Sequence, residues 1–99
     1  MDRDKIKHKA KEKIDDIFNN LDELEASATY ITADQKKKWQ QEMSNLDKSK
    51  DTIKSLYDSL LDATDDSFDH LQKAFDQMAG VMKNRLSAIK EEYKEAVEA

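Results

Sequence analysis

A chain of 99 residues with 39% charged side chains, one glycine and no proline is one small domain, and its composition leans toward the long-helix and coiled-coil class. With no cysteine it has neither a disulfide framework nor a thiolate metal site. A net charge of -5 and a pI near 5.0 argue against general nucleic-acid binding, which depends on clustered Lys and Arg that neutralise phosphates.

The first predicted helix covers about residues 4–29. Ala10, Ile14, Ile17, Leu21, Leu24, Ala28 and Ile31 recur at spacings of three and four, which is the period of one helical face. Lysines crowd its start, from Lys5 to Lys13. With Ile6, Ala10 and Ile14 on one side, this segment could lie on an anionic membrane surface, but that side lacks the Trp, Phe or Leu that gives such helices their grip.

The apolar rhythm breaks at Ser27–Thr32, where Thr29, Ile31 and Thr32 are β-branched. Thr32 stands three residues before Gln35, the spacing of a capping box in which both side chains satisfy backbone N–H groups at a helix start. A second helix is therefore predicted over about 33–63, with Trp39, Met43, Leu46, Ile53, Leu56 and Leu60 on one face. Lys36, Lys37 and Lys38 precede Trp39. Because Trp39 falls on the apolar stripe, it is assigned to the core, with the lysines solvated or facing the acidic end of the first helix.

The second break is Thr64-Asp65-Asp66-Ser67, four residues that compete with helical backbone bonding. Thr64 as N-cap puts Asp65 and Asp66 in a first turn, where the helix dipole favours negative charge. The third helix, about 65–97, carries Phe68, Leu71, Phe75, Met78, Met82, Leu86, Ile89 and Tyr93. Asp65, Asp66 and Asp69 resemble the DDxxD pattern that holds magnesium-bound diphosphate in isoprenoid synthases. The resemblance covers five residues, and those enzymes need a large cavity and a second metal motif. Acids at a helix N-terminus explain the pattern without a metal. Asp66 and His70, four apart, are too few ligands for a zinc site, and no Glu-x-x-His pair marks a di-iron bundle. His70 and His8 are expected to be solvated.

Together the elements predict an all-α, coiled-coil-like antiparallel bundle of three helices running up, down and up. Charge supports this arrangement. Residues 1–13 are net basic, 14–34 hold six acids and no base, 35–54 are net basic and 55–76 net acidic. Folding the second helix back on the first sets basic halves beside acidic ones, and the acidic start of the third meets the basic start of the first. The alternative is a helical hairpin. Tyr57, Leu61, Thr64, Phe68, Leu71, Phe75, Met78 and Met82 run through the second break in unbroken 4-3 spacing, so helices two and three could form one rod of about 65 residues, roughly 98 Å, that would dimerise.

At mid-height the apolar layers give way to Ser49 and Lys50 on the second helix, opposite Ala79, Gly80 and Met82 on the third. These five are the candidate lining of a partner-binding recess; the competing explanation is a polar layer that fixes register. Gly80 would either allow close helix approach or leave a shallow hollow.

No Gly-rich phosphate loop and no Ser/His/Asp arrangement can be read, so no enzyme, no cofactor and no metal are expected. The predicted function is a noncatalytic helical bundle for protein–protein interaction or oligomerisation, with a homodimer among its partners and nucleic acid excluded. The alternative is an amphipathic protein of lipid or membrane surfaces that opens its helices as exchangeable apolipoproteins do. No stretch approaches the ~20 apolar residues of a membrane span, and residues 2–13 are too charged for a signal-peptide core. A soluble, cytoplasmic protein is expected, although a chain processed after export would read the same. In length, helix count and heptad pattern the chain resembles a spectrin-type repeat. Its only tryptophan lies in the second helix, not the first-helix position usual there. The looser likeness to small helical hairpins of the WXG type lacks the Trp-x-Gly.

Overall fold

A computed structural model of the chain describes residues 3–99; the first two residues of the domain expected over 1–99 lie outside them. Among the described residues all regular structure is helical. Helix α1 spans Arg3–Ala26, a 3₁₀ turn follows at Ser27–Tyr30, and α2 (Lys36–Leu61), α3 (Asp65–Glu92) and the short α4 (Lys94–Val97) complete the chain. No described helix is long and apolar enough to cross a membrane.

Helix α1 forms where the 4-3 spacing predicts it and buries that stripe: Ala10, Ile14, Ile17, Leu21 and Leu24 all lie in the core. Its apolar side, including the half-buried Ile6, is turned into the bundle. The predicted end at residue 29 is reached in a different conformation. The Ser27 hydroxyl donates to the Glu23 carbonyl at 3.2 Å, a back-bond that competes with the helical ladder, and the last turn tightens to 3₁₀ before Ile31 becomes extended.

Helix α2 starts later than residue 33. Residues 33–35 form a turn, with Gln35 N–H donating to the Thr32 carbonyl at 3.1 Å, and the first helical bond runs from Trp39 N–H to the Gln35 carbonyl. The Thr32–Gln35 pairing exists, but it joins the two side chains at 3.3 Å and leaves the backbone groups uncapped. Four core residues of α2 stand seven apart, Trp39, Leu46, Ile53 and Leu60, while Met43, Leu56 and Tyr57 pack half-buried at the edges.

The chain breaks between Leu61 and Asp65, so α2 and α3 do not form one continuous rod. Thr64 is extended, and its carbonyl accepts N–H bonds from Ser67 and Phe68 at 3.2 and 3.0 Å. A rod of roughly 98 Å is also incompatible with principal extents of 50 × 20 × 16 Å. The physical reason lies in Thr64-Asp65-Asp66-Ser67, whose short polar side chains bond locally; the Thr64 and Ser67 hydroxyls pair at 3.3 Å. The other side of the break is held by Lys7 of α1, whose Nζ donates to the Leu61 carbonyl at 3.3 Å. A cation there complements the negative end of α2.

Helix α3 buries Phe68, Phe75, Ala79, Met82, Leu86 and Ile89, with Leu71 and Met78 half-buried. It stops at Glu92, short of the predicted 97. Tyr93 bends the chain (φ -110°, ψ 34°), lies buried, and meets Trp39 edge-on with ring centroids 5.0 Å apart. After the bend, α4 packs on the 3₁₀ turn and buries Ala96. Each of the three long helices packs against the other two, around a single cluster centred on Leu21, Leu24, Leu46, Ile53, Leu60, Phe75 and Met82.

Candidate functional site

Open grooves run between the helices. The groove between α2 and α3 has a volume of about 610 Å³ and is walled by Glu42, Asn45, Leu46 and Ser49 on one side and Arg85, Ala88, Ile89 and Glu92 on the other. Its cause is legible in the side chains. Positions at helical spacing on both walls face one another, and the small Ser49 and Ala88 do not fill the space between the larger Leu46 and Ile89. Its charges segregate along its length: Glu42 and Glu92 stand at one end, Lys48 and Arg85 roughly 9–10 Å away at 1.5 Å per residue.

The five residues assigned to a partner recess have different surroundings in the structure. Ser49 is buried at the α2–α3 groove. Lys50 lies half-buried with its Nζ 5.0 Å from the centre of the Phe18 ring of α1. Met82 is fully buried in the core. Ala79 and Gly80 line a smaller hollow of about 260 Å³ between α1 and α3, beside Lys13, Ile17 and Asp76. Gly80 is not needed for close helix approach, since a Cβ built on it would meet nothing within 4 Å. Spacing along each helix gives the height of a residue; it does not give its bearing around the bundle axis.

The lysine-rich start of α2 is solvated, one of the two placements expected of it. Lys38 pairs with Glu92 of α3, not with the acidic end of α1, while Lys36 and Lys37 are exposed. The basic start of α1 does meet the acidic start of α3: Arg3 pairs with Asp65 and stacks over the Phe68 ring at 5.0 Å, and Lys13 reaches Asp76 at 3.0 Å. His8 pairs with Glu12 one turn on, at 3.0 Å, with both side chains mostly in solvent. Asp65, Asp66, Asp69 and His70 form no metal cage, and among the described residues no group of three or more His, Cys, Asp or Glu is placed to hold an ion.

One electrostatic feature escaped the sequence. Glu42 and Glu92 face each other across the end of the groove, beside the buried Tyr93. Burial, and then the charge of Glu92, raise the Glu42 carboxyl above the ordinary glutamate range, against the pull of Lys38 and the Tyr93 hydroxyl. Burial, and then the charges of Glu42 and Glu92, raise the Tyr93 phenol. The two side chains are close neighbours, yet Glu42 Oε2 and Tyr93 Oη are both buried without an aligned hydrogen bond. A second carboxylate pair joins α1 to α2: partial desolvation, and then Asp47, raise Glu25, while Lys50 lowers it. The available signal was positional, since Glu42 lies three residues after Trp39 at the edge of the apolar stripe and Glu92 directly precedes Tyr93 at its end.

Chemically these arrangements offer charged rims and shallow apolar floors. The chain matches no protein-family model, no curated protein and no solved structure.

Proposed function

We propose that this chain is a noncatalytic, coiled-coil-like bundle of three antiparallel helices, up, down and up, that serves as a protein–protein interaction or oligomerisation module. Ring pairs support the topology. Moving eighteen residues forward on α2, from Trp39 to Tyr57, moves the partner eighteen residues back on α3, from Tyr93 to Phe75. From Arg3 to Lys13 on α1, by contrast, the partner advances from Asp65 to Asp76, so α1 runs with α3 and against α2.

The observation that carries the functional proposal is the fate of the apolar stripes. All three are spent on one another within the chain. Among the described residues the large apolar side chains left exposed, Tyr30, Leu61 and Val81, sit on separate elements, and scattered single residues of this kind are ordinary surface. What the bundle presents outward is charge in long strips above shallow grooves, which suits protein surfaces better than a small substrate that needs an enclosing pocket.

Two measurements test this function against the lipid-surface alternative. Sedimentation equilibrium over a wide concentration range reads self-association directly. Flotation with vesicles of mixed neutral and anionic lipid, at physiological salt and without other proteins, reads the exposure of apolar seams. The interaction module predicts that the protein stays with the aqueous fraction, with a mass that rises with concentration where the partner is a second copy. Stable flotation with vesicles would overturn it in favour of helices that open onto lipid.

A further inference from the structure

The end of α3 gathers three oxygens with too few protons among them. Glu42 Oε2 and the Tyr93 hydroxyl are buried neighbours without an aligned hydrogen bond, and Glu92 lines the same end of the groove as Glu42. Two ionised carboxylates have only acceptors to offer each other, whereas one added proton turns repulsion into a hydrogen bond. Geometry distinguishes the two: Glu92 is paired with Lys38, while Glu42 is the one with the buried oxygen, which makes Glu42 the proton's site. The location is structurally sensitive, because Tyr93 is the bend through which α4 turns back onto the 3₁₀ turn.

We propose that Glu42 and Glu92 form a proton-operated clasp between α2 and α3. Uptake of one proton from solvent by Glu42 closes a hydrogen bond across the helices and tightens the seating of Tyr93 and α4; its release loosens them. This device does not depend on the interaction function proposed above. The charged and titratable groups acting on Glu42 are Lys38 on its own helix and Glu92 and Tyr93 at the end of α3. The Glu25–Asp47 pair on the α1 side of α2, with Lys50 and Asp22, is a separate cluster. The sign follows from linkage: Glu42 holds its proton more tightly in the folded chain than in the unfolded one. Its stabilising effect is complete below the ordinary glutamate range and is lost as pH rises through its folded-state pKa.

Trp39 is the chain's only tryptophan and touches Tyr93, so its fluorescence reports on this junction. The wild-type emission should titrate with a midpoint above the ordinary glutamate range. Glu42→Gln, which carries a permanent N–H donor, should lose that transition and show at neutral pH the emission that wild type reaches in mild acid. Carboxyl-carbon NMR of the wild-type chain gives a readout that does not depend on the variant folding, and should place the Glu42 midpoint above that of an unperturbed glutamate. A Glu42 that titrates at or below the ordinary range would overturn the clasp. So would a flat Trp39 response, or a transition that persists unchanged in Glu42→Gln.

Discussion

Gly80→Ala isolates a backbone effect with little else in play. Gly80 lies inside the 28-residue α3, where glycine costs about 0.8–1.0 kcal/mol relative to alanine because it loses more backbone freedom on folding. A new Cβ meets nothing within 4 Å, so neither a clash nor a packing gain enters. The change should therefore stabilise the fold by close to 1 kcal/mol, which for a domain of about 100 residues raises the melting temperature by about 4–8 °C. In urea, where slopes for small proteins are about 1–3 kcal/mol/M, the midpoint should rise by about 0.3–1 M with the slope unchanged. Circular dichroism at 222 nm follows both transitions. A lowered or unmoved midpoint would refute the reasoning, since it would require a neighbour for that Cβ which this chain does not supply. Gly80→Leu extends the same test to the hollow beside Lys13 and Ile17. It should also fold, and undiminished binding of a partner by that variant would remove the hollow from the interaction surface.

Other perturbations separate core, surface and titration. Phe75→Ala removes a fully buried ring that packs 6.2 Å from Tyr57; such truncations cost about 3–5 kcal/mol, enough to leave a small domain largely unfolded by urea titration. Lys13→Gln breaks a cross-helix ion pair whose two side chains are about half exposed, so it should cost under about 1 kcal/mol and cost less still in high salt. Glu25 has a folded-state pKa raised first by desolvation and then by Asp47. Its proton therefore favours the folded chain in acid, and that contribution disappears as pH rises through the folded value. Glu25→Gln should accordingly raise stability at pH 7 and change it little below the ordinary carboxylate range, as paired denaturation curves at the two pH values would show.

The three long helices, the core and the second break were legible because each rests on a local rule, whereas the 3₁₀ turn and the short α4 were not. A 4-3 spacing defines a face before any partner is known, and Thr64 with its two following aspartates disfavours helix continuation through local bonding alone. The same spacing, carried through Tyr57, Leu61, Thr64 and Phe68, was equally compatible with a rod; composition at the break, not periodicity, separated the two. Helix ends were less legible. The bend at Tyr93 is coupled to its contact with Trp39, fifty-four residues away, and the 3₁₀ turn follows from the Ser27 hydroxyl choosing the Glu23 carbonyl. The residues of the candidate recess have separate surroundings: Ser49 lines the α2–α3 groove, Lys50 lies over Phe18, Ala79 and Gly80 line the hollow between α1 and α3, and Met82 is in the core. Charge was legible in blocks, which correctly placed the start of α1 against the start of α3, but block sums conceal local pairs. The same summation that promised attraction for Lys36–Lys38 gave no sign that Glu42 and Glu92 would meet.

Lys50 shows how such a local pair can be tuned by a residue that the apolar stripe merely tolerates. It stands half-buried at mid-height on α2, with its stem in the seam and its ammonium over the Phe18 ring, where a lysine specifies register at some cost in stability. It is also the cation that draws Glu25 toward its charged form against Asp47. Lys50→Met keeps the length of the stem and deletes the charge. Two effects then oppose each other: the ring contact, worth about 0.5–1 kcal/mol at an exposed site, is lost, while a thioether replaces an ammonium in a partly apolar slot. Stability in acid should consequently change by less than about 1 kcal/mol, since Glu25 is then protonated and needs no cation. At neutral pH the variant should be measurably weaker than wild type, because the Glu25–Asp47 repulsion stands unrelieved. The difference between the two pH values is the quantity to measure, by urea denaturation of both proteins in each buffer. An equal effect of Lys50→Met at both would mean that Lys50 acts through packing alone and that its charge does not reach Glu25.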